Sequence, residues 1–514
     1  MKNLRVVLIK PSKYDKDGYV ERFRLGFMPN ATLKQIHSMM PKEFMGHRVT
    51  VHEVDEYVGR DIRYLELFKP EADTKVLVAM VGTQSHQFHR ALDLAAVARR
   101  DGAMSVIGGP HPMTCDTTML QGKGPSFSLS EAEVVLPTIL RDAALGQLQQ
   151  VYGDGQRWAE KLDPPVLISP TMEEMSHYLV RMAGVYPTRG CPYKCTFCSV
   201  TEISGHKMRS QPVDTTIRSL IAAKKAGVKY IMFVSDNFNK YPEVRELLGA
   251  MIEEKLDMDF FCQCDVQIGD DPKLIELMAR AGCWQIFVGA ESFDRAILKK
   301  AGKPQNYPEK YAKIVQLCRQ HHILSYLSNI LGFPDDTESI INFNLEKLIE
   351  IGPTLAAFYT FCPLPGSKDY QTFRNNGWIW EKNLDRFDAT CPTWQHPHLS
   401  ADDQRRLFAR CYHKFYSLKR TIRCINELDY RTPAVLGGIG ATIGATLFSR
   451  YAVAGGRHPM SGGIGRLRVD HVDDYLHLRA KTYGFIYAPL PDRLEPSEAD
   501  QAINAEGELI QVYG

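Results

Sequence analysis

Arg189-Gly190-Cys191-Pro192-Tyr193-Lys194-Cys195-Thr196-Phe197-Cys198 gathers three cysteines in one tight loop with the spacing Cys-x3-Cys-x2-Cys. Three thiolates are one too few to close a four-iron four-sulfur (4Fe-4S) cluster, whose usual shell is four cysteines. A cluster held by three protein ligands keeps one iron open for a molecule that binds and reacts there. The same logic separates catalytic from structural zinc sites. The alternative reading of these residues is half a zinc site completed by a distant Cys or His. Cys262 and Cys264 are the candidates, but Cys-x-Cys in an apolar, strand-like run is poor zinc chemistry. Lys194 and Arg189 either lend positive charge to an electron-rich group or are solvated.

Around this loop the composition is that of an ordinary globular protein. The chain has 514 residues, 44% hydrophobic and 24% charged, a length that fits about three domains. A net charge of +2 gives no reason to expect nucleic acid or an acidic membrane as partner. The opening run Leu4-Arg5-Val6-Val7-Leu8-Ile9 reads as a strand and passes into Lys10-Pro11 without a signal-peptide cleavage region. Twelve cysteines without such a signal predict a reducing, cytoplasmic setting. Ala434–Ser449 is uncharged and rich in small residues but too short to span a bilayer, which takes ~20 residues. A buried helix or a Gly-rich loop is expected there, with contact to a lipid or membrane surface as the alternative.

The pattern predicts an α/β chain in three parts. Residues 1–150 alternate apolar runs with helical stretches, as in a doubly wound parallel sheet, with strands at Arg5–Ile9, Arg48–Val54, Val76–Val81 and Met104–Ile107 and a helix over Gln87–Arg100. A polar connector occupies 151–180. Residues 181–375 repeat strand then helix six times, a partial (β/α)6 barrel whose chemistry belongs on the loops at strand carboxyl ends. Strands are expected at Gly184–Thr188, Lys229–Val234, Met258–Gln263, Gln285–Val288, Ile323–Ile330 and Leu355–Phe361, with helices such as Asp214–Ala226 and Asp271–Ala281 between them. Residues 376–514 turn mostly helical, with one helix over Ala401–Thr421 started by Ser400, and are expected to close a substrate cavity.

The remaining candidates fall on those loops. Val81-Gly82-Thr83-Gln84-Ser85-His86 and Gly108-Gly109-Pro110-His111 follow the third and fourth strands of the first sheet, and Ser130-Glu131-Ala132-Glu133 opens a later helix. In the second part, Ser235-Asp236-Asn237-Phe238 follows the second strand and Gly289-Ala290-Glu291-Ser292 the fourth. Gly332-Phe333-Pro334-Asp335-Asp336-Thr337 follows the fifth, and Pro363-Leu364-Pro365-Gly366-Ser367 the sixth. Asn237 and Asn239 could instead make the Asp236 turn a helix cap, and Glu291-Ser292 a capping box.

The cysteine loop, with Phe197 before its third cysteine, resembles the signature of the radical S-adenosylmethionine (SAM) enzymes. The first-part loops resemble the cobalamin-binding domain that precedes many radical SAM cores, where the matching segments read approximately Gly-Gly-Pro-His and Gly-Glu-x-Glu. Ser130 stands where those domains usually have glycine, and no Asp-x-His-x-x-Gly motif is present. The resemblance implies that Cys191, Cys195 and Cys198 hold the cluster. Phe197, Asp236, Gly289, Glu291, Ser292, Gly332 and Pro334 would surround SAM. Gly108, Gly109, Pro110, His111, Glu131 and Ser85 would surround cobalamin, with Thr83 and Gln84 on its lower face. His86 and His89 are the candidate cobalt ligands, or else capping and surface residues.

The activity so implied is methylation of an unactivated carbon of a small-molecule or lipid substrate. The 5′-deoxyadenosyl radical from SAM abstracts hydrogen, methylcobalamin delivers the methyl group, and a flavodoxin- or ferredoxin-like protein supplies electrons. Within the family the alternative is a cyclase or oxidative enzyme without methyl transfer; outside it, a SAM- or corrinoid-binding protein without turnover. Nucleic acid and a transmembrane span are not expected.

Overall fold

The computed structural model describes residues 2–59, 62–153, 155–427, 435–459 and 462–494. Its first sheet has seven strands in the order Glu43–Phe44, His47–Asp55, Lys2–Lys10, Thr74–Met80, Met104–Gly108, Ser126–Ser128 and Val151–Tyr152. All pairings are parallel except the Glu43–Phe44 edge. Leu4, Val6, Val7, Leu8 and Ile9 are fully buried, the both-faces burial of a central parallel strand. Strand order reverses beside Lys2–Lys10, and such switch points open a crevice at the carboxyl edge of a sheet. Val151–Tyr152, expected to begin the connector, supplies the last strand of this sheet instead. The helix predicted from Gln87 runs Phe88–Arg100.

The second sheet is parallel throughout and in strict chain order: Met182–Val185, Tyr230–Phe233, Asp259–Cys264, Cys283–Glu291, Leu324–Leu331 and Leu355–Thr360. Helices Val213–Lys225, Val244–Glu253, Pro272–Arg280, Tyr311–Gln320 and Glu338–Ile351 join them. Cys262, Cys264, Cys283 and Cys318 are buried in the apolar core between these helices and the sheet, which removes Cys262 and Cys264 from any part in the cysteine loop.

The helix expected over Ala401–Thr421 is two helices, Ala401–Phe415 and Leu418–Asn426. The break serves the open edge of the second sheet. Tyr412 Oη accepts from Phe358 N at 3.1 Å and Tyr416 Oη from Ala356 N at 3.1 Å, while Tyr416 and His458 donate to the carbonyls of Ala356 and Phe358. Side chains thus satisfy an edge whose backbone groups would otherwise be unpaired. The uncharged run is part of a helix, Val435–Ala454, half-buried rather than enclosed; Ala434 and residues 495–514 lie outside the described residues. Among the described residues no helix is long and apolar enough to cross a membrane.

The last described segment returns to the first sheet. Gly463–Leu467 pairs antiparallel with Arg22–Gly26, and helix Asp473–Tyr483 lies on Phe88–Arg100. Arg479, fully buried, donates to both oxygens of Asp93 at 2.8 and 2.5 Å and to the Ile486 carbonyl at 2.6 Å. Removing one partner of such a pair leaves an uncompensated buried charge, a loss of about 3–5 kcal/mol. Arg479→Ala is therefore expected to lower unfolding free energy by that order in denaturant titration, and a change under 1 kcal/mol would contradict the role of this clamp.

Candidate functional site

The cysteine loop leaves the first strand of the second sheet and is shaped by one glycine. Gly190 has φ +103°, and a Cβ there would overlap the Lys207 carbonyl, so only glycine fits. Its amide donates to Asp236 Oδ2 at 3.2 Å. Cys191 N donates to Gly205 O at 3.1 Å and Thr196 N to Ala301 O at 3.1 Å, while Thr196 Oγ1 donates to Asp369 Oδ2 at 2.9 Å. The three thiols are half-buried. Burial raises each of them, and for Cys191 the neighbouring thiols add to the effect; Cys198 is pushed up to about 12. Three soft donors crowded in this way fit a multinuclear cation that stabilises their thiolate forms. Among the described residues, no three His, Cys, Asp or Glu side chains converge on a point that could hold a single metal ion.

Beside Cys195 lies a group that the sequence reading missed. Lys303 Nζ donates to Glu291 Oε1 at 2.7 Å and to Gly289 O at 2.9 Å, and Ser328 Oγ donates to Glu291 Oε2 at 3.2 Å. Burial would lower the Lys303 ammonium, but Glu291 and the thiol of Cys195 outweigh it and hold it raised. A Cβ at Gly289 would press on Lys303 Nζ at 2.8 Å. Glu291 itself has φ +67° at a bulge in the strand. A cation, a carboxylate and a backbone carbonyl, the last also bonded by Asn306 at 2.8 Å, thus stand together next to Cys195, a set that suits the ammonium and carboxylate of an amino acid. Gln305 Nε2 is buried there and faces the thiol of Cys195. No motif marks Lys303; it follows a short helix and reaches the site only through the fold.

Other predicted positions take structural parts. Ser292 Oγ accepts from Asp294 N at 3.1 Å and from Asn344 at 3.2 Å, away from Glu291, and Asp294 caps the next helix. Gly332 and Phe333 amides both donate to Asp336 Oδ2, at 2.8 and 2.9 Å, and Thr337 is the helix cap. Phe197 packs edge-on against Phe333, with Pro334 next in that turn. Asn237 and Asn239 both bond Asp265 and cap nothing, so Asp236 is left facing the cavity.

That cavity, of about 450 Å³, runs between the two sheets. Gly82, Gln84, Gly108, Gly109 and Pro110 line one side, with Arg189, Val200 and Asp236 on the other. The two glycine loops are zipped by Thr83 N to Gly108 O at 2.9 Å and His111 N to Thr83 O at 2.9 Å. Gly109, at φ +126°, admits no Cβ because the Thr83 amide is in the way. The glycines are thus required first for loop-to-loop packing, and the result is a side-chain-poor shelf able to seat a flat ring. Gln84 is exposed beside this shelf. Thr83 is buried, and His111 bonds Ser85 Oγ at 2.9 Å and stacks on Phe88, with burial lowering it to about 3. Neither ring nitrogen of His89 is free, since Nδ1 meets Asp385 at 3.0 Å and Nε2 accepts from Ala488 N at 2.9 Å. His86 sits near the buried Lys13–Asp388 pair and is lowered to about 4 by burial and Lys13.

Glu131 lines the cavity as a strap. Arg209 donates to both its oxygens at 2.6 and 2.8 Å, Ala159 N adds a bond at 2.9 Å, and Arg189 makes a bidentate pair with Glu133 at 3.0 and 2.7 Å. Ser130 Oγ, at the position usually held by glycine, donates to Gly153 O at 2.9 Å and so fastens the connector.

Asp236 is raised to about 6, chiefly by burial, against the lowering pull of the Gly190 amide and Arg189. A carboxyl raised on folding stabilises the native state below its unfolded value and loses that contribution as pH rises through its folded value. Asp236→Asn keeps the Gly190 bond without the charge. It is expected to raise the melting temperature of the cofactor-free protein above pH 6 and leave it unchanged near pH 4; equal effects at both pH values would overturn this.

Residues 185–344 match the model of the radical SAM superfamily. The chain is 26% identical over 302 residues, 57% of its length and 64% of the relative's, to the bacteriochlorophyllide d C-12(1)-methyltransferase of Chlorobaculum tepidum. Among the solved structures that its fold matches are two with cobalamin bound. One is the cobalamin-dependent SAM radical enzyme OxsB with aqua-cobalamin and SAM bound (TM-score 0.60, 14% identity, 100% of this chain and 79% of that one). The other is the radical SAM methyltransferase TsrM of Kitasatospora setae with cobalamin and a [4Fe-4S] cluster bound (TM-score 0.58, 15% identity, 73% and 78%). Residues 185–344 of the chain therefore form a radical SAM domain, and the chain has the fold of the solved cobalamin-dependent radical SAM structures.

Proposed function

We propose that this protein is a cobalamin-dependent radical SAM methyltransferase acting on an unactivated carbon of an apolar small molecule, a tetrapyrrole or a lipid. The observation that carries the reading is one continuous construction. A three-thiol loop has a paired Lys–Glu site at Cys195 on one side and, through Asp236, opens onto a flat glycine shelf on the other. Cys191, Cys195 and Cys198 would hold a 4Fe-4S cluster, and Gly82, Gly108 and Gly109, with Gln84 in the same cavity, would seat a corrin ring. Bound there, the cluster supplies an electron to SAM and the corrinoid supplies a transferable methyl group. The similarity to a bacteriochlorophyllide methyltransferase supports both the reaction and a large apolar substrate.

The chain's own residues then have defined tasks. Lys303 and Glu291 orient the amino-acid end of SAM, and Lys303 offsets the charge of the thiolate at Cys195. Asp236 holds the loop's first turn through Gly190 and stands between the two cofactor seats. The apolar wall of Phe197, Phe333, Phe361 and Trp394 keeps water from the barrel mouth.

Reconstituted, reduced protein given methyl-labelled SAM is expected to place label in product; 5′-deoxyadenosine without label would show an oxidative enzyme instead. Cys195→Ala is expected to lose both the brown iron colour and SAM cleavage, and retained cleavage would refute the assignment. Hydrogen bonds to charged groups contribute about 1.5–3 kcal/mol, so Lys303→Met should weaken SAM binding at least tenfold in equilibrium dialysis. Lys303→Arg should retain most of it, and equal loss in both variants would make Lys303 merely structural.

A further inference from the structure

We infer that the outer face of the helix pair Leu418–Asn426 and Val435–Ala454 docks on an anionic lipid bilayer surface. The two helices run antiparallel, because Thr421 Oγ1 meets Thr446 Oγ1 at 3.0 Å while Arg450 Nη1 donates to Tyr416 O at 3.4 Å. Toward the protein the pair buries Arg420, Thr421 and Cys424 from one helix and Thr442, Thr446, Ser449 and Ala452 from the other. Outside the seam stand Leu418 (71% exposed) and Ile422 (58%), then Ile443 (41%), Leu447 (62%) and Tyr451 (47%). Each set repeats every four residues, so it forms one ridge. Because both ridges flank the same seam on the side away from the buried faces, they make one apolar patch.

Charge identifies the occupant. The chain's net charge of +2 hides a local excess of cations: of the twelve Lys and Arg between Gln404 and Val469, Arg405, Arg406, Arg410, Arg423 and Arg466 pair with carboxylates, and those beside the patch are mostly left over. Lys419, Arg423 and Arg450 are exposed within one helical turn of the patch, and Lys414 is exposed at the end of the preceding helix Ala401–Phe415. Arg423 pairs with Glu427 at 2.9 Å, whereas Lys414, Lys419 and Arg450 have no acidic partner among the described residues. Aliphatic side chains ringed by long basic ones suit a helix lying in a lipid interface, with the apolar groups among acyl chains and the charges at phosphates. Nucleic acid would call for stacking rings rather than Leu and Ile. A second copy of this face would set like charges against each other.

The test is co-sedimentation of the full chain with vesicles of phosphatidylcholine containing phosphatidylglycerol, beside vesicles of phosphatidylcholine alone. Binding is expected to the first, to fall as salt rises, and to be much weaker to the second. Leu418→Ser with Leu447→Ser should weaken binding at least tenfold. Lys414→Gln with Lys419→Gln should reduce it by roughly fivefold for each charge removed. Circular dichroism of each variant should match the parent. No binding to anionic vesicles at low salt, or binding that both double variants leave unchanged, overturns the proposal. So does tighter binding to single-stranded RNA than to vesicles, or self-association in sedimentation velocity that the Leu variant abolishes. Methyl-transfer activity in detergent-free solution is a separate readout, and its presence or absence leaves vesicle binding to be judged alone.

Discussion

The strap of Arg189 and Arg209 against Glu133 and Glu131 is the contact on which the arrangement of the site depends. Both arginines belong to the short hairpin that pairs Thr188–Arg189 with Arg209–Ser210, and that hairpin carries the two ends of the cysteine loop. Both glutamates open the helix Ala132–Leu145 of the first sheet. The two sheets therefore meet at their carboxyl edges through four buried or half-buried charges, and the cavity is what remains between them. Buried ion pairs contribute little net stability compared with apolar packing, yet breaking one is costly. Such a contact fixes geometry more than it adds stability. Burial would raise Glu131, but its bonds to Arg209 and the charge of Arg189 keep it lowered, so the strap remains charged at neutral pH. Glycine at 366 completes the joint from the other side, since a Cβ there would overlap Thr114.

The alternating apolar runs made the architecture legible. Every strand expected in the second part is present within a few residues, because parallel strands buried on both faces are written as continuous Val, Ile, Leu and Phe runs. The cysteine loop was legible for a different reason: its pattern is local, and one turn of chain brings all three thiols together. What the sequence hid is non-local. Lys303 and Gln305 reach Cys195 only because the chain after the fourth strand folds back, and Glu131 reads as a ligand-binding carboxylate until Arg209, 78 residues away, occupies both its oxygens. His111 and Thr83 sit in the right motif but turn inward, because the two glycine loops bond to each other before they meet any ligand. The split at Tyr416 was likewise invisible to helical periodicity. It answers the needs of a strand edge some 60 residues earlier in the chain.

That strand edge also explains the placement of the C-terminal region. A six-stranded parallel sheet in sequential order leaves its last strand, Leu355–Thr360, without a neighbour on one side. Tyr412, Tyr416 and His458 take the part of a seventh strand by bonding the amides and carbonyls of Ala356 and Phe358. Because these residues come from one helix and from the segment after the Val435–Ala454 helix, the helices between them are pinned at both ends to the barrel. Their inner faces cover the sheet edge and their outer faces are necessarily turned away from it. The small residues of the second helix follow from the same constraint. Gly438, Thr442 and Thr446 let it lie close on its neighbour, where the hydroxyls of Thr442 and Thr446 bond back to their own helix carbonyls at 2.8 and 2.9 Å. An uncharged, glycine-rich stretch that resembles a membrane span by composition is thus accounted for by close packing on one side, where Phe448 also stacks on Phe27 and Val453 meets the core, while Ile443, Leu447 and Tyr451 stand exposed on the other.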